Sequence, residues 1–238
     1  MTTVDQIKIA LDVLSVPDKK EFYPKFFKAG KGEYAEGDLF IGVTVPDQRA
    51  VAKDFFTKIS LIELSDLLQS SIHEHRQTAL FILVLKFEKS KDPVVHRQIV
   101  DFYLTHKEYI NNWDLVDGSC YKILGRYCFE NNNWTILKNL SEEDNLWSKR
   151  MGIVSTMYFI KKGVYDLTLD LVTINLQHSH DLMHKANGWL LREVGKKDEA
   201  LMIFYLTSHY HNMPRTSLRY AIEKLNENIR QDFLKGRL

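Results

Sequence analysis

Apolar positions return at intervals of three and four along most of this chain. Leu80, Leu83, Val84 and Phe87 form one such stripe, Met151, Val154, Met157 and Tyr158 a second, and Leu201, Phe204, Tyr205 and Thr207 a third. That period belongs to helices that bury one face, and it predicts a core assembled from these stripes. Hydroxyl residues followed three positions later by an acid stand ahead of the periodic segments, at Ser15 and Asp18, Thr44 and Asp47, Ser71 and Glu74, and Ser141 and Asp144. Each pair predicts a helix start, because the hydroxyl accepts from first-turn N–H groups while the acid complements the positive end of the helix. The run F-I-G-V-T-V within residues 38–45 has β composition. A lone strand has no partner, so it is expected to be a loop with an apolar anchor.

Breaking the pattern at these signals predicts about a dozen helices of roughly ten to eighteen residues, joined by short connections. Helix starts expected at Ser71, Asn112, Asn145 and Asp181 are 41, 33 and 36 residues apart. HEAT-like repeats run to about 40 to 47 residues, so the match is to an irregular array. The expected fold is all-α, a superhelical solenoid of HEAT-like helical repeats with a concave groove, forming one domain over residues 1–238. In such an array the same helix of each pair lines the concave face. Side chains tens of residues apart can meet there.

Composition narrows this picture without redirecting it. At 238 residues, 45% apolar and 12% aromatic, the chain can bury a substantial core. Its longest apolar runs fall short of the roughly 20 residues of a membrane helix, and no signal-peptide pattern opens it, so a cytoplasmic location is expected. Cys120 and Cys128 are the only cysteines. Eight positions along one helix separate them by about 12 Å of rise, which predicts two reduced packing thiols and no bridge. The formal charge is only +1, but from residue 183 onward ten Lys and Arg face six acids, so the C-terminal quarter is basic.

The candidate chemistry begins at N-N-W-D-L-V-D-G-S-C, residues 111–120. With Asn112 as cap, Trp113 and Asp117 stand at i and i+4, an indole beside a carboxylate on one face. Such a carboxylate is either paired with a cation from elsewhere in the chain or kept for a positively charged ligand. Trp113, Arg150 and Trp189 are 37 and 39 residues apart, close to one repeat each, so all three can face one concavity. Taken alone, each Trp reads as a core residue, and Arg150 as a surface charge or the partner of Asp117. Nine histidines include His73-Glu74-His75, His178-Ser179-His180 and His209-Tyr210-His211, and His180 and His184 can share a helix face. A single His-Glu pair is poor support for a metal centre, so no metal ligands are assigned and the histidines read as loop and surface residues. Neither a G-x-S-x-G motif nor an activated cysteine supports a nucleophilic hydrolase.

Four segments go further. N-W-D-L-V-D at 112–117, D-N-L-W-S-K-R at 144–150, G-W-L-L-R-E at 188–193 and P-R-T-S-L-R-Y-A-I at 214–222 together resemble, in order and spacing, the AlkD family of DNA alkylation-repair glycosylases, over about residues 4–225. The resemblance implies a helical solenoid with double-stranded DNA in a basic concave groove, and excision of cationic N3- and N7-alkylated purines such as 3-methyladenine and 7-methylguanine. By its motifs, Trp113 and Trp189 are the aromatic pair against the lesion's deoxyribose, Asp117 is the catalytic carboxylate and Arg150 a phosphate-binding residue. Arg192 joins Arg150 in contacting DNA, as do Arg215 and Arg219 in the last motif. Phe26 stands where the family brings a Tyr towards DNA, Asn112 stands where related sequences can carry a second Trp, and the loop at residues 30–37 is longer than in some members. The implied protein works as a monomer without a cofactor. The chemistry suits the residue types, since a cationic purine departs neutral and needs no general acid, while a carboxylate stabilises the developing sugar cation. The rival reading is a helical module that binds DNA or protein without cutting, and Asp117 is the residue that discriminates.

Overall fold

A computed structural model describes residues 1–237. Among these residues all regular structure is helical, apart from one isolated parallel bridge between Leu39 and Ile72. Contacts divide the chain, expected as one array over 1–238, into two compact units, Met1–Ile123 and the remainder from Leu124. The first holds α1 (Thr3–Val13), α2 (Pro17–Phe26), α3 (Val45–Phe55), α4 (Leu61–Leu68), α5 (His73–Lys89), α6 (Pro93–Thr105) and α7 (Trp113–Cys120). The second holds α8 (Arg126–Glu130), α9 (Thr135–Glu142), α10 (Leu146–Ser155), α11 (Met157–Lys161), α12 (Asp166–Ile174), α13 (Asp181–Gly195), α14 (Glu199–His209), α15 (Arg215–Ala221) and α16 (Glu227–Lys235). The helices are more numerous and shorter than the periodicity predicts. A π-helical turn, Tyr121–Gly125, links α7 to α8. Cys120 and Cys128 lie on either side of it, both buried and neither in a disulfide, and burial pushes the Cys128 thiol up to about 12.

The helix starts at Asn112 and Asn145 are where the sequence puts them. Asn112 Oδ1 accepts from the Trp113 N–H at 2.8 Å, and Asn145 Oδ1 accepts from the N–H groups of Trp147 and Ser148 at 2.9 and 3.0 Å. Thr44 caps α3 as predicted. The other three hydroxyl–acid pairs act differently. Val16 precedes α2, whose first residue Pro17 removes a donor that would need capping, and the Ser15 hydroxyl donates instead to the Ile41 carbonyl. Ser141 is buried inside α9 and donates to the Lys138 carbonyl. Ser71 lies one residue before the Ile72 cap. Reciprocal capping boxes form at Thr2 with Asp5 and at Ser60 with Glu63.

The Glu74 carboxylate has a different task. Buried in α5, it accepts from the backbone N–H groups of Ile41, Gly42 and Val43 at 3.2, 2.7 and 3.3 Å. This is why residues 38–45 need no strand partner, and Phe40 and Val43 supply the expected apolar anchor. Gly42 sits at φ +81°, and a Cβ there would meet the backbone of Val16 and Lys20.

In the first unit α3, α4, α6 and α7 all pack on α5, whose residues from His73 to Val84 are buried without interruption. In the second unit α13 packs against α10, α14 and α15. Gly188 permits the closest approach, because a Cβ there would run into the Ser217 carbonyl and Tyr220 Cβ of α15. The Ser217 hydroxyl returns a bond of 2.9 Å to the His184 carbonyl. One apolar stripe is corrected: Phe204 is 74% exposed, and α14 buries Met202, Tyr205 and Leu206 instead. α14 packs chiefly on α13, with Tyr205 also reaching Thr173 of α12, and Phe204 is left to solvent.

Candidate active site

Trp113 and Asp117 follow the Asn112 cap, one turn apart on α7, and both line a cavity of about 380 Å³ within the first unit. The wall opposite comes from α2 and its end, with Tyr23, Phe26 and Phe27. α3 contributes Val45, Gln48 and Arg49, and α5 contributes His73, Glu74, Gln77 and Phe81. The Trp113 ring stacks on Phe27 with centroids 5.7 Å apart and meets Phe26 edge-on at 6.0 Å. Arg49 lies over the Phe81 ring at 4.2 Å. Asn112 is fully buried, so the position where relatives can carry a second Trp serves here as a cap.

Behind the cavity runs a chain of buried charges. His73 Nε2 bonds Asp114 Oδ2 at 2.9 Å and His73 Nδ1 bonds Asp38 Oδ2 at 3.1 Å, so the ring is a doubly protonated bridge between two carboxylates. Burial opposes that proton, but the charge and hydrogen bond of Asp114 and the bond to Asp38 prevail and push His73 up to about 9. Burial likewise works against the Asp38 carboxylate, yet bonds from His73 and Arg76 hold it below its usual range. Arg76 Nη2 reaches Asp38 at 2.7 Å and Asn111 at 3.2 Å, and Gln77 Nε2 donates to Asp114 Oδ2 at 2.6 Å. The imidazolium also packs against two aromatic rings that stack on each other, 4.7 Å from Phe27 and 5.1 Å from Phe40. The result anchors the first turn of α7, and so Trp113, to α5. Two residues on, burial pushes His75 the other way, down to about 4.

Two buried acceptors at the cavity have no hydrogen-bond partner, Gln48 Oε1 and Asp114 Oδ1. Gln48 spends its Nε2 on the Val43 carbonyl at 2.9 Å, and Asp114 spends its other oxygen on His73 and Gln77. Unpaired buried acceptors are uncommon and each calls for a donor.

Of the residues picked out by sequence, Phe26, Trp113 and Asp117 come together at this cavity. The others lie in the second unit. Trp189 is half-buried on α13. Arg150 is only 4% exposed on α10, and its Nη1 donates to the Leu182 carbonyl in the first turn of α13. Arg192 pairs with Glu223 and Glu193. It lines a second cavity, of about 240 Å³, with Lys196 and Lys224. Arg215 and Arg219 are exposed on α15; Arg215 donates to the Leu234 carbonyl at 3.3 Å, and no carboxylate among the described residues pairs with Arg219. The reading of the histidines as loop and surface residues is corrected for His73 and His75, which are buried. A signal for them was present: H-E-H-R-Q-T puts polar residues on every side of the helix that carries an apolar stripe, which a solvent-facing polar side cannot explain. Among the described residues no group of three His, Cys, Asp or Glu is placed to hold a metal ion.

Comparison with known proteins gives one family model, described as DNA alkylation repair enzyme, matching residues 7–225. No curated protein matches the chain. Among solved structures, a predicted DNA alkylation repair enzyme from Enterococcus faecalis is similar, with a TM-score of 0.68 at 15% identity, covering 90% of this chain and 97% of that one. The crystal structure of smu.31 from Streptococcus mutans UA159 is similar at a TM-score of 0.51 and 14% identity, covering 98% and 96%. At such identities the likeness establishes the all-α fold.

Proposed function

The chain belongs to the DNA alkylation repair enzyme family, and from that premise we propose that it is a DNA glycosylase that hydrolyses the N-glycosidic bond of cationic N3- or N7-alkylated purines in duplex DNA. The observation that carries this reading is the pairing of Trp113 with Asp117 on one wall of an aromatic cavity. Alkylation gives the purine a positive charge, so when the bond from C1′ to nitrogen breaks the electron pair leaves with the base, which departs neutral. No general acid is required. The cost lies in the positive charge that remains on the sugar. In this reading Asp117 faces that charge and orients the water that adds to C1′, while the water's proton passes to solvent and an abasic site is left.

Trp113 supplies an aromatic face to the cationic sugar, with Trp189 as its counterpart in the motif-based assignment. The exposed Arg215 and Arg219 are suited to phosphate contacts, and Arg192 can exchange Glu223 for a phosphate. Arg150 is the phosphate-binding residue in the motif-based reading, with its Nη1 held by the Leu182 carbonyl. Phe26 packs edge-on to Trp113 and would extend the aromatic wall toward DNA.

The test is release of free 3-methyladenine or 7-methylguanine from a duplex with a defined lesion, measured by chromatography. Time-dependent release is expected. A folded protein that binds the duplex and releases neither base would instead be a binding module.

A further inference from the structure

Resting on the glycosylase reading, we propose that His73 is a positioning residue for excision, whose charged ring holds the first turn of α7, and with it Trp113 and Asp117, in the reactive arrangement, so that loss of one buried proton switches the chemistry off. The ring ties three elements together. It belongs to α5, its Nε2 bonds Asp114 in the first turn of α7 at 2.9 Å, and its Nδ1 bonds Asp38, in the segment ahead of α3, at 3.1 Å. Asp114 stands next to Trp113 and three residues before Asp117, so what moves it moves both. The side chains of His73, Asp38 and Asp114 are only 1%, 5% and 10% exposed, so water screens these contacts poorly.

The two carboxylates do not depend on that proton equally. A neutral imidazole has one N–H and one lone pair, so it donates to one carboxylate and turns a lone pair on the other. Asp38 keeps a full cation in that event, because Arg76 Nη2 reaches the same oxygen at 2.7 Å. Asp114 keeps the neutral Gln77 amide at 2.6 Å, and its other oxygen is buried without a donor. Among the described residues His73 is the one cation paired with Asp114. The loss therefore falls on the α7 side, where a poorly matched buried carboxylate gains by turning toward water and takes the first turn with it. The charged groups facing the ring are Asp114, Asp38 and Arg76; Phe27 and Phe40 contribute uncharged faces, and Tyr23, Arg49, Glu74 and Asp117 line the adjoining cavity from α2, α3, α5 and α7. Burial opposes the proton, the two carboxylates outweigh it, and the balance puts the titration at about 9, within reach of an alkaline assay.

The experiment uses the full-length protein carrying 5-fluorotryptophan and nitrogen-15 histidine, with the Trp113 fluorine signal identified by its absence in Trp113→Phe and the fold followed by far-UV circular dichroism. Between about pH 7.5 and 9.5 the His73 ring nitrogens should titrate and the Trp113 signal should move with them. Over the same range the single-turnover rate of 7-methylguanine release at saturating protein should fall roughly fourfold, as the protonated fraction does. Asp38→Asn removes one of the two carboxylates without altering α7, so ring, Trp113 signal and rate should shift to lower pH together, by roughly one unit or more. The duplex is the same throughout, so that shift belongs to the protein. A ring that loses no proton in this range, a Trp113 signal or a rate that stays level while the ring titrates, or an Asp38→Asn shift confined to the ring would each overturn the proposal. Should Asp38→Asn fail to fold, the wild-type comparison of ring, signal and rate decides alone. No release at any pH removes the glycosylase reading and leaves the positioning to Trp113: a signal that follows the ring keeps it, and one that ignores the ring overturns it.

Discussion

One cluster of charges in each unit is held in the opposite way to the other. In the first, His73, Asp38 and Arg76 are almost wholly buried, and each bond in the chain fixes the next. In the second, the ion pairs of Arg192, Lys196, Lys224 and Arg230 sit at the surface, reached by water and salt. Burial makes a charge expensive to leave unmatched and therefore rigid; exposure makes it cheap to re-pair. A group that must stabilise a developing charge gains from the first arrangement, because no reorganisation is needed when the charge appears. Groups that must grip a phosphate backbone in any sequence gain from the second.

The strongest way to break this contrast is to remove the bridge. His73→Leu leaves Asp38 and Asp114 facing each other's surroundings without their shared cation, and is expected to destabilise the fold by about 3–5 kcal/mol. Arg230→Ala should cost less than about 1 kcal/mol. Urea melts of the two variants check this, and equal losses would show that the buried network carries no special weight.

Next in size is the chemical step. Asp117→Asn keeps shape and hydrogen-bonding reach, so excision should fall on the order of 10²-fold or more while the melt stays in place. Duplex affinity should hold or rise, since a negative charge near phosphates is lost. Single-turnover excision and a binding isotherm on the same variant measure both. A stable variant that cuts normally would remove Asp117 from the mechanism.

The buried histidines give opposite pH signatures. His73 is raised from 6.5 to about 9, so its stabilising contribution is complete below pH 6.5 and is lost as the pH rises through 9. His75 is lowered from 6.5 to about 4, so its contribution is complete above pH 6.5 and is lost as the pH falls through 4. The urea midpoint measured against pH should therefore decline on both sides of about 6.5, from these two groups, and His73→Leu should flatten only the alkaline limb. The smallest effect belongs to the exposed cations. Arg219→Ala should weaken duplex binding a few-fold and lower the magnitude of the salt slope by roughly 0.9, with the excision rate of bound DNA unchanged.

Local signals carried the α-helical class, the caps at Asn112 and Asn145, and the placement of Trp113 and Asp117 on one face. Each of these depends on neighbours within about a turn, so spacing alone is sufficient. The bridge from His73 to Asp38 and Asp114 spans 35 and 41 residues, and nothing near His73 in the chain names either partner. Ser71 and Glu74 show the same limit from the other side. Their spacing is that of a capping box, but the Glu74 carboxylate finds three donors in residues 41–43 and the local motif gives way. Phe204 fits the apolar period yet faces solvent, because periodicity states that a helix has an apolar stripe and not which part of it a neighbour covers.

The amino-acid order by itself thus determined the helices, their strongest caps and the local pairing of indole with carboxylate, since those follow from the geometry of one turn. Tertiary structure alone decided which polar residues are sealed in the interior, which of them share a proton, and that Gln48 and Asp114 each keep an oxygen without a donor. Those outcomes depend on which distant groups packing brings within hydrogen-bond reach and on how far water is excluded from them, and neither quantity is written into any local stretch of chain.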